Sequence, residues 1–278
     1  MMSSLLSVVR RHPIITFFVL TYAIGWGLIP FWTFQAGSPF IAALIVVPLT
    51  QGLSGLKELG LRMIRWRVRW YWYVVAVALP LAVILVMVAL NIALGASAPS
   101  LAFGSVSTIL MVFAVRLINP GDGALGEEPG WRGVALPGLQ STLSPLVSTM
   151  ILGVVVTVWH VPILFLEEGL LQPSIIVGFL LGSFAVTFFY TWLFNHTGGS
   201  VLMTIVSHAV QGTITIGGMW SAGADFAQAN LLNVVVVSVV AIGLVVFDRK
   251  AWRSPAPAEA MTPPPQAIPP RGAAPTPA

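Results

Sequence analysis

Two carboxylates and an arginine stand together in Gly126-Glu127-Glu128-Pro129-Gly130-Trp131-Arg132-Gly133, in a chain with only nine acidic residues. On a helix Glu128 and Arg132 lie four apart and can pair. Glu127 points about 100° away round the axis and is free to face elsewhere. One carboxylate is thus available for structure and the other for chemistry. Two histidines follow. His160 closes the run Val154-Val155-Val156-Thr157-Val158-Trp159, and His208 sits in Val201-Leu202-Met203-Thr204-Ile205-Val206-Ser207-His208-Ala209. A single histidine in an apolar helix is often only a helix–helix hydrogen bond. A glutamate with two histidines can do more: activate a water and stabilise an oxyanion, or bind a metal such as zinc. Spacing alone does not separate these. A metal set would be Glu127, His160 and His208.

The elements that must position these residues are membrane helices. The chain is 57% hydrophobic and only 8% charged, with a mean hydropathy of +0.92. A soluble domain carries about 25% charge. Apolar runs of about 20 residues recur, so the protein reads as all-α and polytopic. An ionisable side chain at bilayer depth costs roughly 2.5–3.5 kcal/mol on insertion scales and marks function by default. Trp131, Val134, Leu136 and Leu139 flank the acidic stretch, which argues against an ordinary solvated loop. Cysteine is absent, which excludes disulfides, thiolate ligands and a cysteine nucleophile.

Eight spans are expected: Pro13 to Phe34, Pro39 to Leu53, Tyr73 to Leu94, Val106 to Ile118, Leu143 to Phe165, Ile175 to Phe194, Val201 to Met219 and Leu231 to Phe247. Residues 1–253 form the membrane domain, and 254–278 a disordered cytoplasmic tail rich in Pro and Ala. Between spans two and three, basic residues alternate with Trp and Tyr from Leu59 to Tyr73, as at a membrane surface. Asn119-Pro120-Gly121-Asp122-Gly123 breaks the fourth helix. The acidic stretch starts a new one, with Pro129 in its first turn.

Charge fixes the expected orientation. With the N-terminus cytoplasmic, all thirteen Lys and Arg fall inside, and the outer loops hold only Glu167, Glu168 and Asp225. Both termini are then cytoplasmic. The pI near 10.0 is explained by orientation signals and membrane lipids rather than nucleic acid. Low Lys, high Ala, Pro and Gly and a compact multi-pass layout suit a bacterial plasma membrane. His12 is read as interfacial, and His196 as a surface or capping residue in a turn. Glu167 and Glu168 are read as solvated, and Gly178-Phe179-Leu180-Leu181-Gly182 as a close helix contact. Trp131 and Trp159 are expected to line the site.

At the site residues the chain resembles the CAAX proteases and bacteriocin-processing enzymes, the CPBP family of intramembrane proteases. Glu127, Glu128 and Arg132 match its Glu-Glu-x-x-x-Arg motif in full. His160 matches an aromatic-x-x-x-His motif whose aromatic position is Val156 here. His208 matches a His-x-x-x-Asn-type motif whose last position is Gly212, with Gln211 before it. The resemblance covers about 116–215 and implies a CAAX-protease-like helix bundle. It also implies roles. Glu127 is the general base that activates a water, aided by His160. Glu128 supports it, paired with Arg132. His208 helps stabilise the oxyanion. Gln211, or a backbone N–H, is the substitute for the missing Asn. Family members are described both as metalloproteases and as glutamate-dependent enzymes without metal. Gly212 offers no ligand and Arg132 would repel a cation, which favours the second.

The function expected is an endopeptidase near the cytoplasmic face, acting on a membrane-anchored or lipidated protein or peptide. A weak or inactive relative acting as a scaffold or bacteriocin-immunity factor is the alternative, favoured by Val156 and Gly212. A proton-coupled transporter is the third reading; it predicts a repeat between halves, and the sequence has no clear internal repeat.

Overall fold

The computed structural model describes residues 2–100, 105–166 and 171–253. Glu167, Glu168 and the tail from 254 lie outside the described residues, so the expectations for them do too. Among the described residues every regular element is helical. Eight stretches of the described residues are long and apolar enough to cross a membrane: Pro13–Phe31, Ser38–Met63, Tyr71–Ala93, Val106–Gln140, Pro145–Leu166, Ile175–His196, Val201–Met219 and Ala224–Phe247. The chain is a multi-pass all-α membrane protein. Large apolar side chains such as Leu85, Val239, Ile242 and Phe247 are exposed on its outside, where lipid replaces water as the solvent.

The helices run α1 (Met2–Arg11), α2 (Pro13–Trp26), α3 (Ser38–Met63), α4 (Tyr71–Ala93), α5 (Val106–Ile118), α6 (Gly123–Gly130), α7 (Leu136–Gln140) and α8 (Pro145–His160). Then come α9 (Ile163–Leu166), α10 (Pro173–His196), α11 (Val201–Thr213), α12 (Ile216–Met219), α13 (Ala224–Phe247) and α14 (Arg249–Arg253). Most span ends lie within three residues of those expected, and one end each of the second, fourth and eighth shifts further. The second apolar run does not end at Leu53. It continues to Met63, but Gly52 leaves helical geometry at φ 69°, a conformation open to glycine because it has no Cβ. The eighth helix starts at Ala224 rather than Leu231. Its polar first turns are tolerated because they face protein. Gln228 Nε2 donates to the Asn91 carbonyl at 3.2 Å. A Cβ on Gly178 would stand 3.4 Å from Asn230, which is the close contact expected at that glycine.

The fourth stretch is a bent rod. A straight helix of 35 residues would be about 52 Å long, against about 30 Å of hydrocarbon. It breaks after α5, where Arg116 pairs with Asp122 at 2.7 Å, and restarts as α6. Pro129 is not in the first turn of α6 but next to its end. Its missing N–H leaves the Leu125 carbonyl without its usual partner. Directly afterwards Trp131–Ala135 widens into a π turn, a form that recurs at functional sites.

Small residues set α6 deep in the bundle. A Cβ on Gly126 would stand 2.9 Å from the Gly37 α-carbon, and one on Gly130 would stand 2.5 Å from the Pro39 backbone. Gly126 and Gly130, four apart, therefore let α6 lie directly on the start of α3. Phe17, Trp131, Leu152, Trp159 and Ile205 fill the core around this contact.

Candidate active site

The helices that carry the two histidines are tied down at their ends. Ser200 caps α11: its Oγ accepts from the Met203 N–H at 3.3 Å and donates to the Arg65 carbonyl at 2.7 Å. Ser144 caps α8 by accepting from the Val147 N–H. At the other end of α8, Tyr22 donates to the Val155 carbonyl at 2.6 Å and Trp26 to the Trp159 carbonyl at 3.0 Å. His160, the last residue of α8, is thus clamped by α2.

The two glutamates divide as the helical spacing predicts. Glu128 is wholly buried, and its Oε1 accepts from Arg132 Nη1 at 3.1 Å and lies 2.9 Å from His208 Nδ1. Glu127 turns the other way. Its Oε1 is 3.8 Å from His160 Nε2, and its Oε2 accepts from Trp131 Nε1 at 3.3 Å. His160 Nδ1 is 2.8 Å from the Val156 carbonyl, which can only accept. That contact fixes the proton on Nδ1 and leaves the Nε2 lone pair toward Glu127. His208 likewise engages its carboxylate through Nδ1. A Cβ on Gly123 would stand 3.0 Å from Glu127 Oε1 and 3.1 Å from His208 Nε2, so both atoms converge beside this glycine.

Glu127, Arg132, His160, His208, Gln211 and Val156 line one cavity of about 280 Å³. Trp131 and Trp159 do not, contrary to expectation. Both are wholly buried behind the site, ring centroids 5.6 Å apart. Trp131 supports Glu127 from behind, and Trp159 donates to Ser38 Oγ at 3.1 Å. Gly212 is also outside the cavity wall. The guanidinium of Arg116 fills the space beside it, 2.6 Å from where a Cβ would stand. His196 is not in a turn but ends α10, where its Nε2 pairs with Asp248 at 2.8 Å, away from the cavity.

A metal fits this donor set poorly. Among the described residues no three His, Asp or Glu side chains gather closely enough to hold one ion. The Arg132 cation also lines the same cavity. What the arrangement can do is hold a water against a carboxylate and present hydrogen-bond donors opposite it.

Comparison with known proteins bears on this geometry. Residues 105–214 match the family described as type II CAAX prenyl endopeptidase Rce1-like. The resemblance to CAAX proteases holds. A CAAX prenyl protease 2 from Methanococcus maripaludis is 24% identical over 169 residues, covering 59% of this chain and 60% of that protein. The chain thus aligns with less than two thirds of that relative's length. The matched segment contains Glu127, Glu128, Arg132, His160, His208 and Gln211.

Part of the cavity wall comes from outside that segment and was not legible in the sequence. Leu79, Val83 and Ile84 of α4 and Asn233, Val237 and Val240 of α13 close it. Tyr190 was missed as well. It is buried between Arg132 and His208, with Arg132 Cζ 4.9 Å from its ring centroid and the His208 ring 5.5 Å away. Its only sequence signal is a hydroxyl in the middle of an apolar span, one of four tyrosines in the chain.

Proposed function

We propose that this protein is an intramembrane endopeptidase in which Glu127 activates the hydrolytic water. The observation that carries this reading is the division of the glutamates. Glu128 is consumed by Arg132 and His208, while Glu127 faces the cavity between His160 and His208.

The reaction runs as follows. Glu127 takes a proton from a water held between its carboxylate and His160 Nε2, and the water oxygen attacks the scissile carbonyl. The carbonyl oxygen becomes an oxyanion beside His208 Nε2, which donates when the ring carries both protons. The tetrahedral intermediate collapses, the C–N bond breaks, and the proton on Glu127 passes to the leaving amine. Glu128 holds the His208 ring in register, and Arg132 balances its buried charge. No step needs a metal.

The substrate is the C-terminal part of a lipidated or membrane-inserted protein, or a membrane-bound peptide such as a bacteriocin precursor. Its apolar portion would lie along the Leu79, Val83 and Val237 side of the cavity. The protein sits in a bacterial plasma membrane with both termini and its thirteen basic residues on the cytoplasmic side.

The test is cleavage of a library of membrane-anchored peptides by the protein in liposomes. Wild type cleaves and Glu127→Ala, folded alike, does not. A folded wild type that cleaves nothing favours the scaffold reading, to which the occupied space beside Gly212 already lends support.

A further inference from the structure

Tyr190 meets three members of the site at once. The Arg132 guanidinium lies over its ring, and the His208 ring stacks on it at 21° between planes. Its hydroxyl donates to Gln211 Oε1. This last bond decides the chemistry of Gln211. A primary amide has an accepting end and a donating end. With the oxygen engaged by Tyr190, the amide nitrogen is the end left over. Among the described residues it has no protein acceptor. Gln211 lines the cavity, and it lies three residues after His208 on α11, on the same helical face.

We infer that Tyr190 is a positioning residue that presents the Gln211 amide N–H, beside His208 Nε2, as a second donor to the oxyanion. The inference rests on the hydrolase reading above. It accounts for how the site gains a donor when Gly212 has no side chain. It also explains why a phenol lies buried among an arginine, a histidine and a glutamine. The ring holds His208 by stacking, and the hydroxyl sets the direction of the amide.

The experiment compares kcat and KM of the full-length protein in liposomes on its best-cleaved lipid-anchored fluorogenic peptide. The variants are Tyr190→Phe, Gln211→Ala, Gln211→Glu and the double Tyr190→Phe/Gln211→Ala. Losing one oxyanion donor costs about 10²–10³ in rate. Gln211→Ala is therefore expected to lose about a hundredfold in kcat with KM little changed. Gln211→Glu can still accept from Tyr190 but has nothing to donate, so it falls equally far. Tyr190→Phe keeps the ring and loses about tenfold. The double variant is no slower than Gln211→Ala, because the hydroxyl acts only through the amide. Near-wild-type activity of Gln211→Glu, or full additivity in the double variant, overturns the inference and leaves the protease reading intact. A folded wild type without activity overturns both.

Discussion

The Arg116 guanidinium lies against the backbone of Gly212, its Nη1 2.6 Å from where a β-carbon would stand. Sequence comparison alone would treat Gly212 as a lost asparagine and Gly212→Asn as a repair. The structure predicts the opposite. A side chain there must displace a cation already paired with Asp122 at 2.7 Å. The guanidinium is the end of a flexible, partly exposed side chain, so moving it costs about 0–1 kcal/mol, the usual worth of such a pair. Gly212→Asn is expected to lower the unfolding temperature in detergent without raising kcat. Arg116→Ala/Gly212→Asn is expected to recover the stability lost to crowding. A faster, equally stable Gly212→Asn would refute this.

Gly123 tests the water site without replacing a charged group. A methyl there would crowd both Glu127 Oε1 and His208 Nε2 at about 3 Å. A misplacement of about 1 Å can cost 10²-fold in rate. Gly123→Ala is therefore expected to lose at least about tenfold in kcat while thermal unfolding stays close to wild type. Retained activity would show that the water does not sit beside this glycine.

Glu128 should behave as a structural carboxylate. Removing one partner of a buried ion pair costs about 3–5 kcal/mol, because the other charge is stranded. Arg132 and Glu128 are both almost fully buried. Glu128→Ala is expected to unfold at markedly lower denaturant in detergent, whereas Glu127→Ala keeps its fold and loses activity. Equal stability of the two variants would contradict the division of labour between them.

A chelator separates the two chemistries that the residue types allow. Because Glu127, His160 and His208 do not gather as one ligand set, EDTA or phenanthroline is expected to leave cleavage unchanged, and metal analysis of active protein to find no stoichiometric zinc. Loss of activity with a chelator, restored by zinc, would reverse this.

Close packing of α6 on α3 gives a stability prediction remote from the chemistry. Gly130→Ala would push a methyl within 2.5 Å of the Pro39 backbone. Backbone cannot yield as a side chain does, so this variant should lose more stability than Gly60→Ala, where nothing lies within 4 Å. Circular dichroism melts in one detergent compare them directly.

Much of this was legible in the sequence because the bilayer imposes it. Apolar runs of membrane length fix helices wherever the backbone must satisfy itself internally, and the eight stretches recur in the structure with shifted ends. The four-residue spacing fixed the Glu128–Arg132 pair, since that contact is local to one helix. The 100° step between neighbouring residues also set Glu127 apart from that pair. The close approach of Gly126 and Gly130 to the start of α3 was not legible, because it joins two separate helices.

What only the tertiary structure decided are contacts between residues far apart in the chain. Glu128 could be seen to need a partner, but not that His208 shares it, 80 residues on. Trp131 and Trp159 carry the same sequence signal as cavity-lining aromatics, and packing put them behind the site instead. Gly212 reads as a gap until Arg116 is seen to fill it. Tyr190 reads as a lone hydroxyl in an apolar span until Arg132, His208 and Gln211 close round it. A membrane span repeats the same apolar types on every face, so its sequence does not mark which residue meets which neighbour. Only the packing of α4, α6, α8, α10, α11 and α13 round one cavity selects them.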